Sequence, residues 1–186
     1  MDTTQFFSGT VKEWSEQMYS KFFRYRHRIF VEKLGWDVPT SDGMESDQFD
    51  REDTVHVVAR DEAGEVMAYS RLLPTTKPYL LAEVFPQLMD GHRLPRCYDT
   101  WELSRFTAQD PHAVDLTARN FYFSPMAVEL LRYSVSAAAT QGAKNLIFVG
   151  SPGMATLMER ADFNVQRMGR PRMIDGHRVL AAVIKF

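Results

Sequence analysis

Between residues 99 and 149 the chain reads as strand, helix, strand, and that order constrains the fold more than any other feature. Asp99 to Phe106 has strand character. Ser124 then stands as an N-cap and Pro125 as the first helical residue. Met126, Ala127, Leu130, Leu131, Ser134, Ala137 and Ala138 fall on one helical face, and Gly142 ends the helix. Asn145 to Val149 is a short apolar strand. A helix crossing between two strands sets them parallel. Val55 to Arg60 and Val66 to Leu73 are instead joined by Asp61-Glu62-Ala63-Gly64, a hairpin turn that sets them antiparallel. Ser151-Pro152 opens a further helix, and Asp175-Gly176 turns between two late strands. Parallel and antiparallel pairs in one chain predict an α/β fold with a mixed sheet flanked by helices.

The N-terminal segment is helical. Thr10-Val11-Lys12-Glu13 has the form of a capping box. Val11, Trp14, Met18, Phe22, Tyr25 and Ile29 follow at spacings of three and four, and Gly35 is placed to end the helix in the left-handed region. Pro39, Ser41, Asp42 and Gly43 among dense acids predict a long surface loop from Asp37 to Asp53. No repeat or Pro/Gly-rich linker divides the 186 residues, so they read as one domain. A formal charge of −2 argues against nucleic acid as the main partner. The longest apolar run is Val179 to Ile184, too short to enter a membrane as a spanning helix. A polar start, Met1-Asp2-Thr3-Thr4-Gln5, and a lone Cys97 fit a reducing cytoplasm. No Cys-based metal site is possible, and the five histidines show no ligand spacing.

Charged residues stand where a plain core would not keep them. Trp101-Glu102-Leu103-Ser104-Arg105-Phe106 is a strand with a Glu and an Arg among large apolar side chains. Strict alternation puts Glu102, Ser104 and Phe106 on one face and Trp101, Leu103 and Arg105 on the other. A lone buried charge is very costly, so an interior polar network or a site is expected here. Arg71, within Tyr69-Ser70-Arg71-Leu72-Leu73, raises the same question. Glu45-Ser46-Asp47-Gln48-Phe49-Asp50 supplies carboxylates with which these arginines would pair, or is simply a solvated acidic loop. Phe22, Arg26 and Phe30, with Trp36 beyond, form either a cationic and aromatic wall for a flat ligand or an ordinary core stripe with a surface Arg. No glycine lies between Gly91 and Gly142, which weighs against the glycine-rich pyrophosphate loop of an acetyl-coenzyme A enzyme.

Taken together, Arg26, Phe30, Trp36, Asp47, Asp50, Arg71, Glu102 and Arg105, with the strings Arg71-Leu72-Leu73-Pro74-Thr75 and Trp101 to Phe106, resemble the signature of the acyl-homoserine lactone synthases, the LuxI-type autoinducer synthases. The likeness is dense from about Tyr19 to Phe106. It implies a single N-acyltransferase-like (GNAT-like) domain over residues 1–186, with a mobile N-terminal lobe of about residues 1–53 over the S-adenosylmethionine site. It also implies a reaction. The amine of S-adenosylmethionine attacks an acyl thioester, carried on acyl carrier protein or coenzyme A, and lactonisation then releases methylthioadenosine. S-adenosylmethionine is a co-substrate, and no cofactor or metal is expected.

The resemblance assigns roles by position. Glu102 is the first candidate for the base, with Asp47 and Asp50 as rivals, and Arg71 and Arg105 complete the catalytic set. Arg26, Phe30, Trp36, Asp47, Arg105 and Phe106 would hold S-adenosylmethionine, or the charges would chiefly pair with one another. Leu103, Met126, Leu130, Phe148, Met154 and Leu157 would line the acyl-chain pocket. Arg119, Arg132, Lys144, Arg170 and Arg172 are candidates for a basic face toward an acidic carrier protein. An acetyl-coenzyme A N-acetyltransferase and a non-catalytic ligand-binding relative are the competing readings.

Overall fold

A computed structural model describes residues 4–109 and 124–186. The chain forms two compact units, one of residues up to Arg71 together with Arg105–Tyr133, the other of Leu72–Ser104 and Ser134–Phe186.

In the first unit, β1 (Gln5–Gly9) pairs antiparallel with β4 (Val55–Arg60), Gly9 lying opposite His56. The hairpin partner β5 (Val66–Pro74) flanks β4 on its other side and runs on into the second unit. The expected first helix begins later than its capping box. Glu13 accepts hydrogen bonds from the Thr10 N–H at 2.7 Å and from its hydroxyl at 3.0 Å, but this closes only one 3-10 turn, Val11–Glu13. Trp14 is extended, and Ser15, whose hydroxyl accepts the Met18 N–H at 3.2 Å, caps α1 (Glu16–Arg26). The apolar stripe behaves as its periodicity requires. Met18, Phe22, Tyr25 and Ile29 are buried with Phe23, Phe30, Val58, Val66 and Tyr69. Each large apolar side chain buried there contributes about 2 kcal/mol.

Beyond Arg26 the helix widens into a π turn, His27–Lys33, in which the Leu34 N–H reaches Ile29 O at 3.0 Å. Gly35, at φ +66°, ends it. The Trp36 N–H then bonds Phe30 O at 2.9 Å, a six-residue closure that folds Trp36 back beside Phe30.

The loop expected on the surface from Asp37 to Asp53 is only partly there. It contains a small hairpin, β2 (Thr40–Ser41) and β3 (Met44–Glu45), turning at Asp42 and Gly43, both at positive φ. Past the hairpin the chain turns inward, and Glu45 and Phe49 are buried. The purely solvated reading fails because buried arginines supply the countercharge.

In the second unit, the part of β6 (Thr100–Thr107) up to Ser104 lies parallel to β7 (Asn145–Gly150), with Leu103 opposite Phe148. β10 (His177–Lys185) is antiparallel to β7 and also carries β8 (Asn164–Arg167) and β9 (Arg172–Ile174). The connection after β5 contains the short helix α2 (Leu80–Glu83) and a 3-10 turn, Pro86–Met89. The crossover helix α3 (Pro125–Thr140), whose residues up to Tyr133 belong to the first unit, starts where expected, the Ser124 hydroxyl accepting the Ala127 N–H at 3.1 Å. Ser151 caps α4 (Pro152–Arg160) in the same way. Among the described residues no helix is long and apolar enough to cross a membrane.

Candidate active site

Six charged residues that are far apart in sequence meet inside the first unit. Helix α1 delivers Arg26, β3 and the turn after it deliver Glu45, Asp47 and Asp50, β5 delivers Arg71, and the end of β6 delivers Arg105. Arg26 is fully buried; its Nε bonds Glu45 Oε2 at 2.6 Å, and its two terminal nitrogens grip Asp50 at 2.7 and 2.9 Å. Arg71 bonds Asp47 Oδ1 at 2.6 Å and Asp50 Oδ1 at 3.1 Å, and a second nitrogen reaches Asp47 Oδ2 at 3.1 Å. Arg105 bonds Glu45 Oε1 at 3.0 Å and Asp47 Oδ2 at 2.9 Å.

Three guanidiniums and three carboxylates make a charge-balanced cage, which is why so many ions can be buried together. Burial pushes the Asp50 carboxyl up, but Arg26, Arg71 and the Asp47 N–H more than offset it and hold it well below the usual carboxylate range. Glu45 is also lowered, burial being outweighed by Arg26 and Arg105.

The carboxylates of Asp47 and Asp50 have their acceptor positions filled. Asp47 accepts from Arg71 twice, from Arg105 and from the Phe49 N–H at 2.9 Å. Asp50 accepts from Arg26 twice, from Arg71 and from the Asp47 N–H at 2.8 Å. Four donors fill the roughly four acceptor positions of a carboxylate.

Arg105 is the cage arginine that keeps some exposure. Its side chain keeps 6% exposure, where those of Arg26 and Arg71 keep 0%. Its guanidinium carbon lies 5.6 Å from the centre of the Phe30 ring and 5.7 Å from that of Trp36. Those rings stack on each other, 4.7 Å apart, and Trp36 is 39% exposed. Arg105 has φ +50°, a left-handed backbone that is costly for an L-residue. The strict alternation expected along this strand therefore extends only to Ser104. Phe106, the next residue, is half-buried.

Residues 10–186 match the autoinducer synthase family profile. The chain belongs to that family. An acyl-homoserine-lactone synthase of Acinetobacter nosocomialis is 43% identical over 177 residues, 95% of this chain and 97% of its own length. The coenzyme A-dependent acyl-homoserine lactone synthase BjaI, solved with SAM and isopentyl-CoA, is 27% identical at a TM-score of 0.83, covering 100% of this chain and 83% of that one. An acyl-CoA N-acyltransferase from Pseudomonas aeruginosa, at 12% identity and a TM-score of 0.64 over 97% of this chain and 99% of that one, shares the fold alone. The mixed sheet is thus GNAT-like, as the order of elements predicts.

The other residues singled out in this autoinducer synthase have different settings. Glu102 belongs to the second unit and is fully buried. Its two oxygens accept the N–H groups of Leu80 and Leu81 at 2.8 and 2.7 Å, capping the start of α2. Leu103, Phe148, Met154 and Leu157 are buried in that unit, whereas Leu130, buried, and Met126, half-buried, belong to the first. Of the basic candidates, Arg132, Lys144 and Arg170 are exposed and Arg172 is paired with Asp90 at 3.0 Å; Arg119 lies outside the described residues.

Glu45 is the cage residue the sequence reading did not single out, although it opens the acidic run. The signal was the Asp42-Gly43 turn just before it, which fixes β3 and with it the direction of the Glu45 side chain. Tyr69, two residues before Arg71 on β5, also touches the cage, its hydroxyl accepting from Arg26 at 3.2 Å.

Proposed function

We propose that this autoinducer synthase makes an N-acyl-homoserine lactone from S-adenosylmethionine and an acyl thioester. The observation that carries the reading is the charge-balanced cage that fixes Arg105 beside Trp36, partly exposed and stacked on the buried Phe30. Such a pair offers a π face to the adenine and the sulfonium of the co-substrate. Arg105, the cage arginine with residual exposure, binds its carboxylate. Arg26, Arg71, Asp47 and Asp50 act by holding that geometry. The cover of about residues 1–53 moves chiefly around Trp36, because the cage ties the residues on either side of that turn to β5 and β6.

The α-amine has a pKa of about 8 and is mostly protonated near pH 7, so a base must free it. The family resemblance puts Glu102 first for that role, with Asp47 and Asp50, whose acceptor positions are filled, behind it. The amine nitrogen then forms a bond to the thioester carbonyl carbon, the carbon–sulfur bond breaks, and the thiol leaves with the proton. In the second step a carboxylate oxygen of the bound methionine attacks its own γ-carbon. The bond to the sulfonium breaks, closing the lactone and releasing neutral methylthioadenosine. The acyl chain is read onto the apolar side chains of Leu103, Phe148, Met154 and Leu157. The relative solved with isopentyl-CoA supports a thioester donor; acyl carrier protein is the donor we favour.

Mass spectrometry of reactions containing S-adenosylmethionine with acyl carrier protein thioesters, or with coenzyme A thioesters, is expected to find an acyl-homoserine lactone and methylthioadenosine in equal amounts. Acylated product with neither lactone nor methylthioadenosine would overturn the reading. Trp36→Ala is expected to raise the KM for S-adenosylmethionine about 10- to 100-fold, the worth of a stacked aromatic contact of about 1–3 kcal/mol. Steady-state kinetics with the acyl donor saturating checks this.

A further inference from the structure

Linked to the cage through Tyr69 is a histidine that the reaction above does not use. His56 on β4 is fully buried among the rings of Tyr19, Phe22 and Phe23, with Phe22 stacked on it at 4.8 Å. Its Nδ1 lies 2.7 Å from the Tyr69 hydroxyl, and that hydroxyl lies 3.2 Å from a terminal nitrogen of Arg26. Arg26 can only donate, so the Tyr69 oxygen accepts from it, and the phenol proton is left to point to His56 Nδ1 in the tautomer that carries its proton on Nε2. Burial keeps the imidazole neutral, pushing its pKa down to about 3. Nε2 has no hydrogen-bond partner among the described residues. A buried polar nitrogen left unsatisfied costs stability, so His56 is not explained by packing; its other nitrogen accounts for its presence.

We propose that Tyr69 and His56 are positioning residues for the S-adenosylmethionine site, a hydrogen-bonded relay that fixes the rotation of the Arg26 guanidinium. The proposal rests on the reading of that site given above. Arg26 is gripped by Glu45 at Nε and by Asp50 at both terminal nitrogens, and the Tyr69 hydroxyl is a further acceptor, on a different element from those carboxylates. The orientation of Arg26 sets that of Asp50, which shares Arg71 with Asp47, and that of Glu45; Asp47 and Glu45 both hold Arg105. His56 acts one step further back. By accepting a hydrogen bond from the phenol it leaves a Tyr69 lone pair turned toward the guanidinium.

Titration calorimetry and steady-state kinetics on the full chain test the relay. Wild type is expected to bind S-adenosylmethionine, and Tyr69→Phe to weaken Kd and KM for it about tenfold, the worth of one hydrogen bond to a charged group. The KM for the acyl thioester is expected to stay within about twofold of wild type, a split that a general loss of folded protein would not produce. His56→Leu should match Tyr69→Phe, and the double variant should be no worse than either single one. His56→Asn, whose side-chain oxygen stands as many bonds from the backbone as Nδ1 does, should recover most of the loss.

An unchanged KM for S-adenosylmethionine in Tyr69→Phe, an equal rise in both KM values, or additive losses in the double variant would overturn the relay alone. Wild type that failed to bind S-adenosylmethionine would overturn the functional reading with it. Where Tyr69→Phe does not fold, His56→Asn against His56→Gln carries the test, since the glutamine oxygen lies one bond too far out. Equal affinity in those two variants would count against the relay.

Discussion

Arg26→Met is expected to lower the stability of the folded chain by about 3–5 kcal/mol, a large share of the roughly 5–15 kcal/mol of a typical domain. The side chain lost is fully buried, and methionine fills a similar length without its charge. Glu45 and Asp50 would then lie in the interior with one guanidinium fewer.

The pH dependence gives the change a signature. In wild type both carboxyls sit below their ordinary values, so what they contribute is fully present above the unfolded pKa of about 4 and is lost as pH falls through the folded values. Without Arg26, burial is less well opposed and both carboxyls move up. The folded variant then takes up protons at a higher pH than folded wild type does. Its deficit against wild type should narrow as pH falls from 7 toward 4. Urea unfolding across that range measures it; a loss below about 1 kcal/mol, or a deficit flat in pH, would mean that the cage does not depend on Arg26.

Glu102→Gln is expected to reduce kcat about 10²- to 10³-fold at pH 7, the range of a lost general base. The assignment has its own test, because the nucleophile titrates. Below a pKa of about 8, the free-amine fraction rises about tenfold with each pH unit. The variant's rate should therefore climb with pH and level off near pH 8, while wild type is much flatter. The capping bonds to Leu80 and Leu81 add a separate effect. Glutamine offers one oxygen to two N–H groups and turns an amide against the other, costing about 1–3 kcal/mol of stability. A variant that loses stability but gains nothing from higher pH would reduce Glu102 to a cap and move the base elsewhere.

The sheet was legible wherever pattern and punctuation agreed. Ser124-Pro125 and Ser151-Pro152 announce their helices, and Asp61 to Gly64 announces its hairpin. β1, β8 and the four-residue α2 were not read, since segments so short carry no periodicity, and pairing or packing alone sets them. Thr10 misled because two caps stand five residues apart, and only Trp14, extended between them, separates a single turn from the helix.

At the site, residue chemistry alone kept a bland alternative alive for nearly every charge. A helical arginine such as Arg26 looks the same on the surface as in the interior; only the juxtaposition of β3, β5 and α1 tells them apart. The resemblance to a known signature brought Arg26, Asp47, Asp50, Arg71 and Arg105 together before any coordinates did. It carried no sign of the left-handed backbone at Arg105, because nothing in an arginine's identity announces a conformation that glycine ordinarily takes.

That backbone makes the tail of β6 conditional. An L-residue at φ +50° costs on the order of 1 kcal/mol. The contacts from Glu45 and Asp47 help to offset it. The acidic turn and the end of the strand thus acquire order in a single step, and a chain deprived of those two carboxylates would mislay the shape of its own β6 along with them.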